Sequence, residues 1–462
     1  EPYWYGDEGI YQAVAMSLNN GQLLYKDIYD NKPPLLYIIY SIFQSDQFFV
    51  KLVSATFGIL SIIFFFLLAR KLFHNFKNPN IPLYLSTSIL ALLFGLPLLE
   101  GNIANAENFM LLPIIAAAFL VIRLEKTLNI AKSSSQNFYL SFTTGFLLGI
   151  AFLFKAVAVF DFAAFLTFFI IVNFNLLKKV FKEISFLVLG FFLPTVFISL
   201  FLLLSGAFID FVRAAFVTNI SYVSYENLIG GFPILLFVKL IILIASIFYL
   251  FKKRNTFTKT VLFIILWVAF SLFNALFSQR PYTHYVLVLL PSLTLMLGLI
   301  FSDKKHQRVT IVLFIVILIL IWKNFTFYGF QKTFLYYKNF LSFISGKKDT
   351  SLYLAFFDKN TPIDYEIARF LKLKLDGNES IFVWGNNAQL YKLANVAPVT
   401  KYIVSYHITN YKDGISVTQD SLEKTKPKFI VVMPNQRPIP FALTEYFNKI
   451  EIDNASIYER IL

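Results

Sequence analysis

Residues 3–34 read YWYGDEGIYQAVAMSLNNGQLLYKDIYDNKPP, and a series of long apolar stretches follows them. This polar block contains an acidic pair, Asp7 and Glu8, and the lysine Lys32. Charged side chains are costly to keep beside a bilayer, and they often mark functional positions there. The block therefore predicts a polar site at the edge of a membrane-embedded helical bundle.

The composition is that of an integral membrane protein. Hydrophobic residues make up 57% of the 462 residues, and only 15% are charged, whereas soluble domains carry about a quarter charged residues. Cysteine is absent and histidine occurs four times, which excludes a disulfide framework and argues against thiolate or His-rich metal sites. The net charge of +14 comes mainly from short basic clusters between apolar runs, so we expect no nucleic-acid partner.

Ten apolar stretches are long enough to predict membrane-crossing helices. They cover residues 47–69, 81–99, 108–122, 137–154, 156–176, 184–205, 233–251, 260–278, 285–301 and 308–324. Residues 33–45 are too short to cross and predict a re-entrant or surface helix that starts at Pro33 and Pro34.

The charges of the connecting loops alternate from one loop to the next. Sixteen Lys and Arg residues, among them Lys132, fall on one side of the ten stretches, and six fall on the other. The positive-inside rule places the richer side in the cytoplasm. The opening polar block, Lys155, residues 206–232 and the C-terminal tail then face outward.

We predict a mainly α fold, a polytopic transmembrane helical bundle with a small extracytoplasmic α/β domain at its C-terminus. The membrane domain covers residues 1–324, and we expect a further span before residue 1, or a removed signal peptide. The second domain covers 325–462. Buried strands are predicted at 380–385 and 428–433, and helices at 362–375 and 417–425.

The outward acids have two interpretations each. Asp7, with Glu8 beside it, could take a proton from an attacking hydroxyl group, or Asp7 could be the N-cap of a helix over 8–19. Glu107 could be a second acid of the same cavity, or a residue favoured at a helix start by the helix dipole.

The outward cations lie at the edges of the apolar stretches. Lys32, Lys155 and Arg280, with His284 and Tyr285 close to Arg280, would suit a phosphate or pyrophosphate group of a lipid. The alternative is that the long basic side chains reach toward lipid headgroups. No P-loop and no dinucleotide fingerprint is present.

Several motifs in order resemble one class of membrane enzymes. They are the acidic pair, GQLLYKDIYDNKPPLLY at 21–37, Glu107 before an apolar stretch, the outward Lys155, and RPYTHYVLVLLP at 280–291. The chain resembles the GT-C class of glycosyltransferases, and within it the bacterial relatives of protein O-mannosyltransferases and lipid A aminoarabinose transferases (glycosyltransferase family 39). The resemblance covers about residues 1–324, and the C-terminal part is similar to the outer domain of many such proteins.

The resemblance implies transfer of a sugar from a polyprenyl-phosphate donor to a lipid, glycan or protein acceptor at the outer face of the bacterial inner membrane, with inversion. Asp7 matches the general base, with Glu8 beside it, and Glu107 the second acid. The set that would hold the lipid phosphate is Lys32, Lys155, Arg280, His284 and Tyr285. Aminoarabinose-type relatives often have Glu where this chain has Asn31, so a divalent metal ion is left open and no cofactor is assigned.

Two other classes of function compete with this one. A transporter or flippase of lipid-linked sugars should have polar residues along a path through its spans, and here Asp161 and Lys239 stand out. A polymerase or ligase of lipid-linked glycans could share the cations but would not need the Asp7–Glu8 pair. The prediction that carries the enzyme interpretation is that Asp7 and Glu8 converge with Lys155 and Arg280 in one pocket.

Overall fold

A computed structural model describes residues 1–127, 134–219, 228–229, 232–325, 327 and 330–460. The described chain forms two compact units. The first, which we call the polar unit, contains Glu1–Lys51, Leu202–Ala215 and Phe334–Leu462; the second, the helical unit, contains Leu52–Phe201 and Phe216–Thr333. The domain boundary at 324/325 stays a prediction. These units group the chain differently, because the polar unit also includes the N-terminal block.

All ten predicted apolar stretches form helices. These are α3 (Gln47–Phe73), α4 (Asn80–Phe94), α5 (Ala106–Thr127), α6 (Ser134–Phe154), α7 (Val159–Val172), α8 (Leu177–Leu204), α10 (Ile234–Lys252), α11 (Lys259–Ala275), α12 (Leu290–Ser302) and α13 (Gln307–Asn324), with the short α9 (Phe208–Val212) between them. Among the described residues, six of these helices are long and apolar enough to cross a membrane, and the other four are shorter apolar helices. The chain is thus a multi-pass membrane protein.

Small residues let α6 and α8 cross at close range inside the helical unit. A Cβ atom on Gly145 would lie 1.9 Å from the carbonyl oxygen of Leu187, and one on Gly190 would lie 2.3 Å from that of Phe142. Helices in membranes gain van der Waals contact where glycines let their backbones approach in this way. Any larger side chain at either position would force the two helices apart.

The N-terminal block folds into two helices of the polar unit. α1 spans Gly6–Asn19 and α2 spans Leu35–Ile42, directly after the two prolines. The interpretation of Asp7 as an N-cap is wrong, because Tyr5 holds that position and Asp7 lies inside the first turn. A carboxylate in the first turn is still favoured by the helix dipole.

The C-terminal segment of the polar unit is an α/β fold. Its helices are α14 (Phe330–Ile344), α15 (Thr350–Ala355), α16 (Thr361–Lys374), α17 (Gln389–Ala394), α18 (Ser405–Asn410) and α19 (Gly414–Thr425). Its strands are β3 (Ile381–Trp384), β4 (Phe429–Val432), β5 (Tyr446–Ile452) and β6 (Ala455–Arg460), in the order β3-β4-β6-β5. β3 and β4 pair in parallel and the other neighbours are antiparallel.

The two predicted strands and two predicted helices of this segment are confirmed as β3, β4, α16 and α19. The β5–β6 hairpin was not predicted. Two further short strands, β1 (Leu228–Ile229) and β2 (Phe232–Pro233), pair in the loop before α10. Lys132 and residues 220–227, which entered the charge count and the predicted outer loops, lie outside the described residues.

Candidate functional site

The polar unit holds a first group of polar side chains, the Asp7 cluster, made of Asp7, Tyr11, Asp30, Lys32 and Tyr37. The ammonium group of Lys32 lies 3.7 Å from the Asp7 carboxylate and 4.7 Å from the centre of the Tyr11 ring. The hydroxyl of Tyr11 donates to Asp7 at 3.1 Å. Asp7 is 39% exposed. Its carboxylate is thus fixed in direction by two neighbours and still open to a substrate.

The other half of the acidic pair is buried. Glu8 is 2% exposed, and its carboxylate lies 3.4 Å from the ammonium group of Lys51, which also contacts Glu1. A carboxylate in this setting is held by charge pairing and is shielded from solvent. The adjacent acids therefore have different surroundings, and Asp7 is the one that a substrate can reach.

Hydrogen bonds hold Lys32 in its loop. The hydroxyl of Tyr25 donates to the Lys32 carbonyl at 2.8 Å, and the Lys32 N–H donates to the Tyr37 hydroxyl at 3.2 Å. Tyr37 in turn donates to the buried carboxylate of Asp30 at 2.8 Å. Burial, with the Asp30 charge next in size, raises the pKa of Tyr37 well above its usual range, so the phenol stays protonated and can go on donating to Asp30.

The α/β segment packs against this N-terminal block. Gly9 of α1 faces the start of α17, where a Cβ atom would lie 2.6 Å from the backbone nitrogen of Gln389. The N–H of Tyr29 donates to the carbonyl of Lys401 at 2.9 Å. The C-terminal segment thus positions both the helix that carries Asp7 and the loop that carries Lys32.

A histidine of the α/β segment also lies near the Asp7 cluster. The ring of His407 is buried edge-on against Tyr29, with ring centres 5.5 Å apart. Its Nδ1 has no hydrogen-bond partner among the residues that the structure describes. Burial lowers the pKa of His407 to about 4, and the charges of Asp30, Lys32 and Asp7 affect it less. His407 is therefore neutral at physiological pH and close enough to the cluster to respond to its charges.

The helical unit holds a second group, the Glu107 cluster, made of Glu100, Glu107, Lys155, His284 and Tyr285. The ammonium group of Lys155 contacts the buried carboxylate of Glu107 and lies 4.6 Å above the Tyr285 ring. The Nδ1 atom of His284 lies 2.8 Å from a Glu100 oxygen, and its Nε2 lies 3.7 Å from Glu107. Acids and bases thus alternate in one continuous chain of contacts.

Breaks between helices place these side chains. Glu107 lies in the first turn of α5, and Lys155 is an extended residue between α6 and a 3-10 turn over Ala156–Ala158. His284 and Tyr285 lie on the 3-10 turn Thr283–Val286. Glu100 has a left-handed backbone, with φ of +59°, a strained conformation for a non-glycine residue. Its carboxylate also accepts from the Thr283 hydroxyl at 3.1 Å.

Arg280 precedes the His284 turn by three residues and is half-buried. The structure therefore brings together Glu107, Lys155, His284 and Tyr285 in one unit, and Asp7 and Lys32 in the other. Because the two clusters belong to different compact units, the convergence of Asp7 and Glu8 with Lys155 and Arg280 stays a prediction.

Sequence reasoning missed several members of the two groups. Glu100 lies seven residues before Glu107 and contacts His284. Apart from the charge of Glu100, nothing in the sequence indicates this contact. Asp30 was visible as part of the motif at 21–37. No local pattern points to His407, which folding brings to the cluster from 370 residues downstream of Tyr37.

The possible ligand residues of the candidate site give little support for a bound metal ion. Within the described ranges, no three His, Asp or Glu side chains are grouped in a way that could hold a metal ion. At the position where relatives often have Glu, this chain has Asn31, whose amide oxygen is a neutral ligand. The residues present do not fit a metal ion at this position.

Two solved structures are similar to this chain over its whole length. ArnT from Cupriavidus metallidurans bound to undecaprenyl phosphate has a TM-score of 0.59 at 12% identity, and the match covers 100% of this chain and 94% of that one. ArnT from the same organism in the apo state has a TM-score of 0.56 at 13% identity, with the same coverage. This likeness establishes the fold.

A more distant match is AglB, an oligosaccharyltransferase from Archaeoglobus fulgidus in complex with an inhibitory peptide and a dolichol-phosphate. It has a TM-score of 0.47 and 12% identity, covering 93% of this chain and 66% of that one. The sequence matches no protein-family model, and no curated protein sequence matches it significantly.

Proposed function

From the GT-C fold that this chain shares with ArnT, we propose that the protein is a glycosyltransferase that uses a polyprenyl-phosphate-linked sugar. The sugar passes to an acceptor hydroxyl at the outer face of the membrane, with inversion of the anomeric centre. The observation that carries the proposal is the Glu107 cluster, a lysine and a histidine held in place by two acids at the ends of apolar helices.

The leaving group is a lipid phosphate. When the bond between the anomeric carbon and the phosphate oxygen breaks, negative charge grows on the phosphate, and positioned cations stabilise that charge. We assign Lys155 and Arg280 to this task, with His284 as a hydrogen-bond donor and with Lys32 and Tyr285 completing the binding set. In the absence of donor, Glu107 balances the positive charge of Lys155, which lowers the cost of keeping that charge close to the lipid.

The acceptor hydroxyl needs a base on the opposite face of the sugar. Asp7 is exposed enough to meet it, and the contacts from Tyr11 and Lys32 fix the direction of its carboxylate. The hydroxyl oxygen attacks the anomeric carbon, its proton passes to Asp7, and the lipid phosphate leaves with the electrons of the broken bond. Glu8 pairs with Lys51 and Glu107 pairs with Lys155, so we assign Glu8 a supporting role beside Asp7 in α1 and Glu107 the role of positioning Lys155.

The transporter interpretation finds no support in the two polar residues that motivated it. The Asp161 carboxylate accepts from the Trp267 indole N–H at 2.8 Å and is buried between α7 and α11. Lys239 donates to the carbonyl of Leu276 at 2.7 Å. Both make local contacts between neighbouring helices, as expected for residues that fix helix packing.

The test is a transfer assay with the purified full-length protein in nanodiscs. The donors are polyprenyl-phosphate hexose, N-acetylhexosamine and pentose, and the acceptors are envelope lipids and proteins from cells that lack this protein. Mass spectrometry should detect free polyprenyl phosphate and a glycosylated product. Failure with every donor in this assay, or movement of donor across the membrane without any product after reconstitution into vesicles, would overturn the proposal.

A further inference from the structure

Helix α14, Phe330–Ile344, has two apolar faces, and one of them packs inside the polar unit. On the inner face, the ring of Phe343 stacks on Tyr353 with centres 4.3 Å apart, and Tyr336 meets Phe357 edge-on. The amide of Asn339, buried between them, donates to the Tyr353 carbonyl at 3.2 Å. These contacts fix the rotation of the helix about its own axis.

The outer face of the same helix is apolar and exposed. Phe334, Leu341 and Ile344 are 71%, 59% and 61% exposed, and Tyr337 and Phe340 lie on the same stripe with about half of their surface exposed. Spacings of three and four residues put these five side chains on one side of a helix. A contiguous stripe of large apolar residues marks a surface that binds something.

The chemistry of the stripe fits a lipid bilayer surface. Aromatic residues lie among aliphatic ones, the exposed Lys338 borders the stripe, and the exposed Lys347 follows three residues after the helix. The helix sequence FQKTFLYYKNFLSFI contains no Asp or Glu. Helices that lie in the membrane interface combine such an apolar face with lysines that attract anionic headgroups.

The position along the chain also favours the bilayer. Helix α13, a candidate membrane span, ends at Asn324, and α14 begins at Phe330. Six residue steps of fully extended chain reach no further than about 20 Å, so the start of α14 is tethered close to the end of a span. A soluble partner protein would have to bind in this restricted space beside the headgroups.

We propose that the outer stripe of α14 inserts into the headgroup region of the bilayer and anchors the α/β segment to the membrane surface. This inference does not depend on the enzymatic activity. The stripe consists of Phe334, Tyr337, Phe340, Leu341 and Ile344, and its insertion depth is that of an interfacial helix, about 5–10 Å.

The absence of cysteine from the chain allows a direct test. Single variants Phe334→Cys and Phe340→Cys carry a nitroxide spin label, in nanodiscs of phosphatidylethanolamine and phosphatidylglycerol that hold one copy each. Glu423→Cys, on the exposed face of α19, is the aqueous reference, and Leu318→Cys, exposed on α13, is the hydrocarbon reference.

Collision rates with oxygen and with a neutral nickel complex then report depth. The ratio of oxygen to nickel collisions at 334 and 340 should exceed that at 423 and approach that at 318. If labels at 334 and 340 are as accessible to nickel as the label at 423, the proposal is overturned. Because each disc holds one copy, a stripe covered by a second copy would also give that aqueous result.

Discussion

The ammonium group of Lys155 contacts the carboxylate of Glu107 where α5 begins and α6 has ended. Glu107 is buried, and Lys155 is largely so. Removing one partner of a buried pair leaves an uncompensated charge, which typically costs about 3–5 kcal/mol. The pair therefore stabilises the fold as well as supplying a cation to the proposed site.

A double-mutant cycle separates these two roles. Lys155→Met should clearly lower the midpoint of thermal unfolding of the purified protein, since it leaves the buried Glu107 carboxylate without the charge of Lys155. Adding Glu107→Gln should restore much of the lost stability but not the transfer activity, because the cation for the phosphate is still missing. Additive effects of the two substitutions on the midpoint would contradict the coupling. Recovery of activity in the double variant would remove Lys155 from donor binding.

The two acids of the N-terminal pair should behave differently. Asp7→Asn keeps the shape of the side chain and removes its basicity, so we expect the turnover number to fall at least about 100-fold, with little change in the KM for donor. Glu8→Gln should lower the thermal midpoint more than Asp7→Asn does, because Glu8 is buried against Lys51. Steady-state kinetics and thermal unfolding measure both. Near-normal turnover in Asp7→Asn would exclude Asp7 as the base.

The sequence predicted the elements of this fold better than their assembly. Long apolar runs such as 184–205 can only be buried in lipid or in protein, so each became a helix as predicted. Helix lengths were less predictable, since apolar residues continue past helix ends: the run 285–301 starts inside the 3-10 turn Thr283–Val286, and α12 begins only at Leu290. The strand β5 lies within residues 444–453, TEYFNKIEID. Polar and apolar residues alternate too weakly there to predict a strand.

The candidate site was predictable in its residue types and only partly in its contacts. Charges at the edges of apolar runs pointed to Glu107, Lys155 and His284 as candidates, because charged side chains are costly to keep beside a bilayer. The contact between Glu100 and His284 depends on the left-handed backbone of Glu100, which lies 184 residues before His284 in the sequence. Likewise, the burial of His407 beside Tyr29 follows from tertiary packing, for which a single sequence carries no signal.

The orientation of the chain in the membrane can be measured with single cysteines. Lys359 lies on the exposed surface of the α/β segment, Tyr282 lies before the His284 turn, and Lys304 lies in the basic loop between α12 and α13. The positive-inside rule predicts that an impermeant maleimide labels Lys359→Cys and Tyr282→Cys in intact spheroplasts. Lys304→Cys should react only after permeabilisation. The reverse pattern would place the candidate site in the cytoplasm.

The buried carboxyl group of Asp364 in α16 should make the stability of the protein depend on pH. Asp364 accepts hydrogen bonds from the side-chain amides of Asn387 and Gln389, at 2.8–3.1 Å, and burial raises its pKa to about 7. The folded state therefore binds the proton more tightly than the unfolded state. The stability that this proton supplies is fully present below about pH 4 and is lost as the pH rises through 7.

The comparison of wild type with Asp364→Asn isolates this effect. The stability of wild type relative to the variant should fall between pH 5 and pH 7, with a slope of up to about 1.4 kcal/mol per pH unit. His407, whose pKa is lowered, has the opposite dependence, but it is present in both proteins. Asp376→Asn, at an exposed position, is the control and should follow wild type. A constant difference between wild type and Asp364→Asn from pH 5 to 8 would refute the assignment.

Two glycines of α1 offer a matched test of how the α/β segment positions Asp7. Where the backbone conformation allows it, Gly→Ala alone stabilises by about 0.4–1 kcal/mol, because the unfolded chain has less conformational freedom to lose. At Gly6 a Cβ atom would meet nothing within 4 Å in the described part of the chain, whereas at Gly9 it would lie 2.6 Å from the backbone nitrogen of Gln389. Gly6→Ala should therefore match or exceed the thermal midpoint of wild type and keep its activity.

Gly9→Ala should have the opposite effect, since backbone atoms cannot yield as a flexible side chain can. Pushing α1 away from α17 shifts Asp7 relative to Lys32 without changing any charge. We expect a lower thermal midpoint and a lower turnover number, because small errors in the position of a reacting group are costly. If Gly9→Ala is as stable and as active as Gly6→Ala, the contact with Gln389 does not position Asp7. The α/β segment would then need another role in the reaction.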